Sequence, residues 1–450
     1  MKNLKYSAII LLVFTASCKK LIDIQTPQNQ LTTDKVFADT TSATSAIVNA
    51  YALFDKIIDP NYNKFMSVYT DDATYPSTSA DNVEFNNGKL SATNGVVGNF
   101  WSNSYNAIYS CNEIIEQLQQ TSAIPTVMVG SLTGEAKFLR AYADFYLVSS
   151  YGPVPLIQTT NVDQTSKATR TDTAIVFAQI IADLKDAQNA LPVTYIGAGK
   201  VRVNRWAATA LLARAYLYSR NWTAAETQSS AVINAGSYSL NTPSTTFLAN
   251  SNETILSFWT QNGFISDAAS LIPASGAPLY PITSSLVSAF ENGDLRKTNW
   301  LKSIAVTASG ITTAYYYSYK YHNRTTNTSS PEYLVALRLA EQYLIRAEAR
   351  AQQNNVSGAI QDLNIIRRRA GLNDLSSSLS QSACLNAIMQ EWRVEFFMEW
   401  GHRFLELKRI GRLNQVMSAF KTAWLPQAAQ LPIPQKDITY DPLLTQNTGY

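Results

Sequence analysis

Residues 205–234 read RWAATALLARAYLYSRNWTAAETQSSAVIN, a stretch rich in alanine. Within it, Leu212, Ala213, Tyr216 and Ala225 follow the spacing of a tetratricopeptide helix pair. In such a pair, small residues let two antiparallel helices approach each other closely. Because only part of the motif is present, the stretch predicts one helix pair and does not by itself predict a repeat array.

A second stretch of the same character covers residues 336–353 and 356–369. Its small and apolar residues keep to one stripe of a helix, and Gly371 marks a helix stop. The two stretches lie 134 residues apart, counted from Ala225 to Ala359, which does not fit a regular repeat of about 34 residues. We therefore expect repeat-like helix pairs dispersed through one globular, mainly α-helical domain.

Outside these pairs, helical and irregular segments alternate along the chain. Helical periodicity predicts a scaffold at about residues 41–58, 100–235 and 336–418. Residues 61–98 are rich in Asn, Ser, Thr, Asp and Gly, so we expect a long loop there. Residues 240–330 predict a loop-rich face with short strands near 254–259 and 314–321, and the Pro-punctuated residues 431–450 predict no helix.

The composition excludes several classes of function. The chain has 450 residues, of which 46% are hydrophobic, so it can bury a large core. A formal net charge of +3 without a basic block gives no reason to expect a nucleic-acid partner. With 24 Tyr and 8 Trp but only 2 His and 3 Cys, the chain offers many amphipathic ring faces and few metal ligands. We expect no metal and no cofactor.

The N-terminus has the pattern of a secretory signal. A cationic start at residues 1–5 precedes an apolar run at residues 6–14, which is too short to span a bilayer. Small residues then lead to Cys18, an arrangement that resembles a bacterial lipobox. This predicts a signal peptide over residues 1–17 and acylation of Cys18, the alternative being an ordinary signal peptide with an incidental cysteine. Cys111 and Cys384 are expected to be buried small hydrophobes.

One charged segment raises the question of an active site. Residues 391–411, EWRVEFFMEWGHRFLELKRIG, contain four glutamates and one of the two histidines. The charges recur every three or four positions on helices that also carry aromatic residues, which favours structural ion pairs between helices. A catalytic carboxylate pair is the alternative, but it would need a cleft between its members. We expect scaffold here, with His402 at a helix junction.

Six segments follow the lipoprotein start in a fixed order: FWSNSYNAIYSCNEII (100–115), EAKFLRAYADFYLVSSYGPVPL (135–156), RVNRWAATALLARAYLY (202–218), RLAEQYLIRAEA with LNIIRRRAGL (338–349 and 363–372), IMQEWRVEFFMEWGHRFLELKRIGRL (388–413) and LPIPQKDITYDPLLTQNTGY (431–450). Together with the lipoprotein start, they resemble the SusD/RagB family of nutrient-binding lipoproteins of Bacteroidetes. Any one alone is weak, and their order makes the resemblance specific.

The resemblance implies both an architecture and a function. It implies one SusD-like domain over residues 18–450, whose helix pairs form the frame and whose loops, carried onto residues 61–98 and 240–330, form the ligand face. It also implies a lipid-anchored outer-membrane protein, exposed at the cell surface. Such a protein would bind an oligosaccharide or polysaccharide without cleaving it and deliver it to a SusC-type TonB-dependent transporter.

Candidate ligand-binding residues come from the two predicted loops. Sugar rings stack on aromatic side chains, while their hydroxyls need polar partners. Asp71, Asp72, Tyr75 and Asn82 supply that mixture in the first loop, and Tyr280 is the candidate in the second. By its place after Thr-Asp-Asp, Tyr75 resembles the stacking aromatic of glycan-binding relatives. The two aspartates could instead cap a turn or help to hold a cation.

Other readings of the aromatic residues and of the function stay open. Trp101, Tyr105 and Trp259 follow helix or strand patterns and are expected to pack in the core. The same transport system would take peptides if the ligand is not a glycan. A secreted glycoside hydrolase is a second alternative and a pure interaction scaffold a third. The absence of acidic residues directly after Cys18 leaves a periplasmic orientation open.

Overall fold

The computed structural model describes residues 33–58, 62–259, 264–325 and 331–450. The first half is a run of helices interrupted by two very short strands. Its elements are α1 (Thr33–Val36), α2 (Thr40–Ile58), α3 (Tyr62–Tyr69), α4 (Ala80–Asn87), α5 (Gly95–Gln120), α6 (Thr126–Tyr151), β1 (Val154–Pro155), α7 (Val162–Thr165), β2 (Arg170–Thr171), α8 (Thr173–Ala190), α9 (Arg205–Tyr218) and α10 (Trp222–Asn234).

The second half begins with strands and short helices and returns to helices. Its elements are β3 (Thr254–Phe258), α11 (Ile265–Leu271), α12 (Ser284–Ala289), α13 (Leu295–Trp300), β4 (Leu301–Ala308), β5 (Ile311–Ser318), β6 (Leu334–Arg338), α14 (Leu339–Gln352), α15 (Val356–Arg369), α16 (Gln381–Phe396), α17 (His402–Arg409), α18 (Leu413–Phe420) and α19 (Gln435–Tyr440). Single 3₁₀ turns cover Pro243–Thr245 and Pro426–Ala429.

The two predicted helix pairs form and pack on each other. Helices α9 and α10 make one pair, α14 and α15 make the other, and α10 lies against α14. Ala213, Ala225, Ala347 and Ala359 are all fully buried in one hydrophobic cluster, where their small size allows the close approach. The prediction of a mainly helical fold with tetratricopeptide-like pairs is confirmed.

Buried ion pairs connect the helices at fixed points. Arg214 on α9 donates two hydrogen bonds to Glu341 on α14, at 2.5 and 2.8 Å. Arg140 on α6 donates two to Asp183 on α8, both at 2.8 Å, and one to Asn112 on α5 at 2.7 Å. Paired donors of this kind set the rotation of each helix as well as its distance from the next.

The charged segment at residues 391–411 is scaffold, as predicted. Glu395 on α16 accepts hydrogen bonds from Arg338 at 2.5 Å, from Arg296 at 2.9 Å and from Arg369. Glu399 accepts from Lys320 at 2.6 Å and from Arg338. Apart from the half-buried Arg369, these charged residues are buried, and Glu395 joins α16 to β6, α13 and α15.

The turn between α16 and α17 depends on a glycine. Gly401 has a φ of 65°, in the left-handed region that favours glycine. A Cβ at this position would lie 2.8 Å from the Tyr62 ring, so the space also excludes a side chain. His402 is buried at the first position of α17, which confirms its predicted place at a helix junction.

Two segments differ from their predictions. Residues 61–98, predicted as a loop, contain α3, α4 and the start of α5. All eight residues of α3 are buried, including the polar Asn63, Lys64 and Ser67, and a helix of this length is too short to show a sustained period. The C-terminal segment, predicted to contain no helix, forms α19 directly after Pro434, which stands at the N-cap and therefore breaks no helical hydrogen bond.

The strands form three separate antiparallel pairs within the described ranges. Strands β3 and β6 pair in the core, and β4 with β5 makes a hairpin that turns at Ser309 and Gly310. The strands predicted near residues 254–259 and 314–321 are thus confirmed, with small shifts at their ends. Trp259, predicted to pack in the core after β3, is instead 56% exposed because the strand ends at Phe258.

Candidate functional site

The two segments predicted to form the ligand face come together in space. The backbone N–H of Thr74 donates to the carbonyl of Pro281 at 2.9 Å, and Ala73 pairs with Ile282 in an isolated bridge. On the other side, the N–H of Ile282 donates to the carbonyl of Tyr316 at 2.8 Å. Three segments distant in sequence therefore run side by side and include the end of the β4–β5 hairpin.

Tyr75 and Tyr280 pack against each other at this place. Their ring centroids are 4.7 Å apart with 32° between the planes. Phe65 packs edge-on behind Tyr75, with centroids 6.1 Å apart, and the Lys64 amine lies 5.8 Å from the centre of the Tyr280 ring. Tyr280 is only 6% exposed, and this burial raises the pKa of its hydroxyl. Tyr75 is half-buried, so of the two it presents more ring surface to a ligand.

Helix α4 holds the backbone of Tyr75. The Asn86 side chain accepts a hydrogen bond from the N–H of Tyr75 at 2.9 Å and donates one to its carbonyl. Asn82, one turn earlier on the same helix, is half-buried and donates to the Ser77 hydroxyl at 2.9 Å. Asn86 was not among the predicted residues, because its role depends on a contact that the helical register of α4 creates.

Asp71 and Asp72 do not face a ligand, which corrects their prediction as ligand-binding residues. They are 3% and 0% exposed. Asp71 accepts hydrogen bonds from Arg393 at 2.7 Å and from Arg403 at 2.8 and 3.0 Å. Thr283 also donates to both aspartates, through its hydroxyl to the Asp71 carbonyl at 2.6 Å and through its N–H to the Asp72 carbonyl at 3.0 Å. Asp71 and Asp72 therefore connect the segment before Tyr75 to the segment after Tyr280.

The neighbouring charges act on the two carboxyl groups in different ways. Burial acts to raise the pKa of Asp71, but the hydrogen bonds and charges of Arg403 and Arg393 outweigh it and hold that pKa below its usual value. Burial raises the pKa of Asp72 to about 6, because the countering charge of Arg393 is weaker there, its Nε lying 3.5 Å from the carboxylate. Asp71 therefore remains ionised and keeps both arginines in place.

The β4–β5 hairpin and the residues after it carry a second group of aromatic side chains. Tyr315, Tyr316, Tyr317 and Tyr319 are all half-buried, whereas Tyr321 is buried. The Tyr319 ring stacks on His322 with centroids 4.3 Å apart, and the Lys302 amine lies 5.6 Å from the Tyr319 centroid. The sequence predicted a short strand near residues 314–321, but it did not indicate which rings stack.

The remaining predictions concern residues away from this face. Trp101 is buried and Tyr105 is half-buried against the core, as predicted. Cys111 and Cys384 are buried free thiols, also as predicted. Cys18 and the predicted signal peptide lie outside the described residues.

Two further properties concern metals and membranes. Among the residues with a described position, no three His, Cys, Asp or Glu side chains group so as to hold a metal ion. None of the helices in the described part of the chain is both long and apolar enough to cross a bilayer.

A rigid frame of tetratricopeptide-like helix pairs that carries an aromatic face on irregular segments defines a class of helical binding proteins. Residues 22–217 match a family model described as "Starch-binding associating with outer membrane", and residues 289–430 match the model of the SusD family. The chain belongs to the SusD/RagB family.

Similar proteins agree with this assignment over most of the chain. SusD-like protein P2 of Formosa agariphila is 24% identical over 100% of both chains, and SusD-like protein P25 of the same organism is 23% identical over 79% of this chain and 80% of its own. A SusD superfamily structure from Bacteroides vulgatus matches with a TM-score of 0.80 and 22% identity over 92% of this chain and 100% of its own. A laminarin-binding SusD-like protein matches with a TM-score of 0.78 and 25% identity, over 91% and 99%.

Proposed function

We propose that this chain is a receptor that binds an oligosaccharide or polysaccharide without cleaving it and passes it to a SusC-type TonB-dependent transporter of the outer membrane. The single observation that carries the proposal is the Tyr75–Tyr280 pair, at the place where two segments more than 200 residues apart meet. An aromatic ring held rigidly at a surface is the feature that stacks on the C–H face of a sugar. Membership of the family and the laminarin-binding neighbour support a carbohydrate as the ligand.

The proposal of a non-catalytic role is supported by where the acidic residues lie. Glycoside hydrolysis needs one carboxyl group that protonates the glycosidic oxygen and a second that faces the sugar. Near Tyr75, the carboxylates of Asp71 and Asp72 are buried. Glu395 and Glu399 are buried as well and are shared between basic side chains. None of these four can approach a substrate without breaking an ion pair or leaving the core.

We further propose that residues 1–17 are a lipoprotein signal, that residues 18–450 form one domain, and that acylated Cys18 anchors it in the outer membrane with the aromatic face outward. Incorporation of radiolabelled palmitate tests the anchor, and protease digestion of intact cells tests the orientation. Loss of the label in Cys18→Ser supports the anchor. Digestion of the protein on intact cells supports surface exposure, and resistance there with digestion after lysis supports a periplasmic position.

Binding is tested with the soluble form that begins at residue 19. The protein is applied to a glycan array that also carries peptides, and reducing ends are then measured after incubation with each glycan that binds. The proposal predicts glycan binding with no reducing ends above a buffer control. Binding of peptides alone would favour the peptide alternative, sustained release of reducing ends would establish a hydrolase, and no binding at all would favour an interaction scaffold.

A further inference from the structure

A groove lies between the start of α5 and the C-terminal helix α19, and neither Tyr75 nor Tyr280 lines it. Its volume is about 500 Å³, within the usual range for small-molecule sites. Thirteen residues line it, and those used below are Gly95, Gly98, Asn99, Lys436, Asp437 and Tyr440. The two walls are joined at one end, where the N–H of Gln435 donates to the carbonyl of Ala92 at 2.8 Å.

The floor of the groove is bare helical backbone. Gly98 lies in the first turn of α5, and a Cβ built on it meets nothing within 4 Å, so the space above it belongs to the groove. Gly95, the first residue of α5, also lines the groove, although a Cβ on it would lie 3.0 Å from the Asp81 carboxylate. Glycine destabilises a helix relative to alanine, and here its small size leaves room for a flat ring to approach the backbone closely.

The walls carry the side-chain chemistry that recognises a sugar. Tyr440 ends α19 and is 78% exposed, so its ring is open to stacking. Asn99 and Lys436 are exposed along the lining, and Asp437 is half-buried among them. Burial raises the pKa of Asp437, and the positive charge of Lys436 opposes that shift. An aromatic platform beside amide, ammonium and carboxylate groups suits a ligand with one apolar face and a hydroxylated rim.

Helix α4 connects this groove to the first site. Its C-terminal part holds Tyr75 through Asn86, and at its other end the Asp81 carboxylate accepts a hydrogen bond from the N–H of Gly95 at 3.1 Å. Helix α4 has eight residues, which corresponds to a length of about 12 Å. The groove and the aromatic pair are therefore fixed relative to each other by one short rigid element.

We propose that the groove formed by Gly95, Gly98 and Tyr440 is a second saccharide subsite, and that a long glycan contacts it together with the Tyr75 face. This inference rests on the proposed function, since it takes the ligand to be a carbohydrate. Two linked sites on one polymer bind much more tightly than either alone, because the second contact forms at a high effective concentration. A short oligosaccharide bound at Tyr75 gains nothing from the groove.

Two substitutions alter the groove, and the chain offers a matched control for each. Tyr440→Ala removes the platform, and Tyr109→Ala removes another exposed tyrosine, on the middle of α5. Gly98→Gln places a side chain in the groove without a clash, and Gly130→Gln does the same at a helical glycine of α6 that also has nothing within 4 Å. All four sites are open, so circular dichroism and thermal unfolding should match wild type.

The probes are laminarin and laminaritriose, together with the polymer and trisaccharide of any other glycan that the array identifies. Tyr440→Ala and Gly98→Gln should each weaken binding of the polymer about tenfold or more, and trisaccharide affinity at Tyr75 should stay within about twofold. Tyr109→Ala and Gly130→Gln should change neither. If the wild type binds polymer and both groove variants bind it equally well, the second subsite is overturned while the proposed function stands. If the wild type binds no glycan, the proposed function fails and the subsite with it.

Discussion

The substitution Glu395→Gln decides between scaffold and active site for the charged segment at residues 391–411. The Glu395 carboxylate is fully buried and is shared by the guanidinium groups of Arg296, Arg338 and Arg369. Glutamine has nearly the same shape but no charge, so it leaves three buried cations with one anion fewer. Removing one partner of a buried ion pair costs about 3–5 kcal/mol, and we expect a loss in unfolding free energy of that size.

The assay is urea unfolding of the soluble chain at neutral pH, compared with a matched amide substitution on the surface. Asp374→Asn breaks the exposed pair between Asp374 and Arg368, whose atoms are 2.9 Å apart. Exposed pairs contribute about 0–1 kcal/mol, so this control should be nearly neutral. If Glu395→Gln unfolds like wild type but loses glycan binding or a hydrolytic activity, the carboxylate belongs to a functional site and the scaffold argument is wrong.

The pH dependence of the same variant gives a second check with a defined sign. Burial acts to raise the pKa of Glu395, but Arg369, Arg338 and Arg296 outweigh it, and its folded-state pKa lies well below the usual value. A carboxyl group with a lowered folded pKa stabilises the protein fully above its unfolded pKa, about 4.3, and loses that contribution as the pH falls further. The stability difference between wild type and Glu395→Gln should therefore be constant near neutral pH and shrink below about pH 4.

Three further predictions concern other parts of the fold. Burial raises the pKa of Asp144 to about 8, so the native state loses stability as pH rises from about 4 to about 8; Asp144→Asn should remove this slope, and its advantage over wild type in urea unfolding should grow by a few kcal/mol across that range. Burial raises the pKa of the Cys111 thiol to about 12 and also raises that of Cys384, so a thiol reagent should label neither cysteine in the folded soluble chain and both in urea. Gly401→Ala adds a Cβ 2.8 Å from the Tyr62 ring at a positive φ and should lower the unfolding free energy by about 1–3 kcal/mol, whereas Gly411→Ala, also at positive φ but with open space around it, should cost less.

The helical frame was predictable because its signal is local. In α9, α10, α14 and α15, small and apolar residues recur at helical spacing, and this spacing needs no knowledge of the neighbours. Helix α3 was missed because eight residues are too few to show a sustained period and because its polar residues Asn63, Lys64 and Ser67, although buried, are typical of a loop in sequence. Helix α19 was missed because a proline at the N-cap resembles a proline that breaks a helix.

The candidate site was predictable only in part, because its decisive contacts are long-range. Tyr75 and Tyr280 were chosen separately, and the sequence gives no sign that their rings meet across more than 200 residues. Asp71 was interpreted as a ligand contact, but its partners Arg393 and Arg403 are 322 and 332 residues away. A carboxylate that binds a sugar and a buried one that holds two arginines look the same in sequence, and only the fold distinguishes them.

The most direct test of the account is the affinity of Tyr75→Ala for the oligosaccharide that binds wild type most tightly, measured by isothermal titration calorimetry with Tyr109→Ala as the control. Loss of one stacking contact of about 1.4 kcal/mol predicts affinity about tenfold weaker for Tyr75→Ala, with Tyr109→Ala unchanged and both variants folded. An affinity for Tyr75→Ala equal to that of wild type would contradict the claim that this aromatic face holds the glycan.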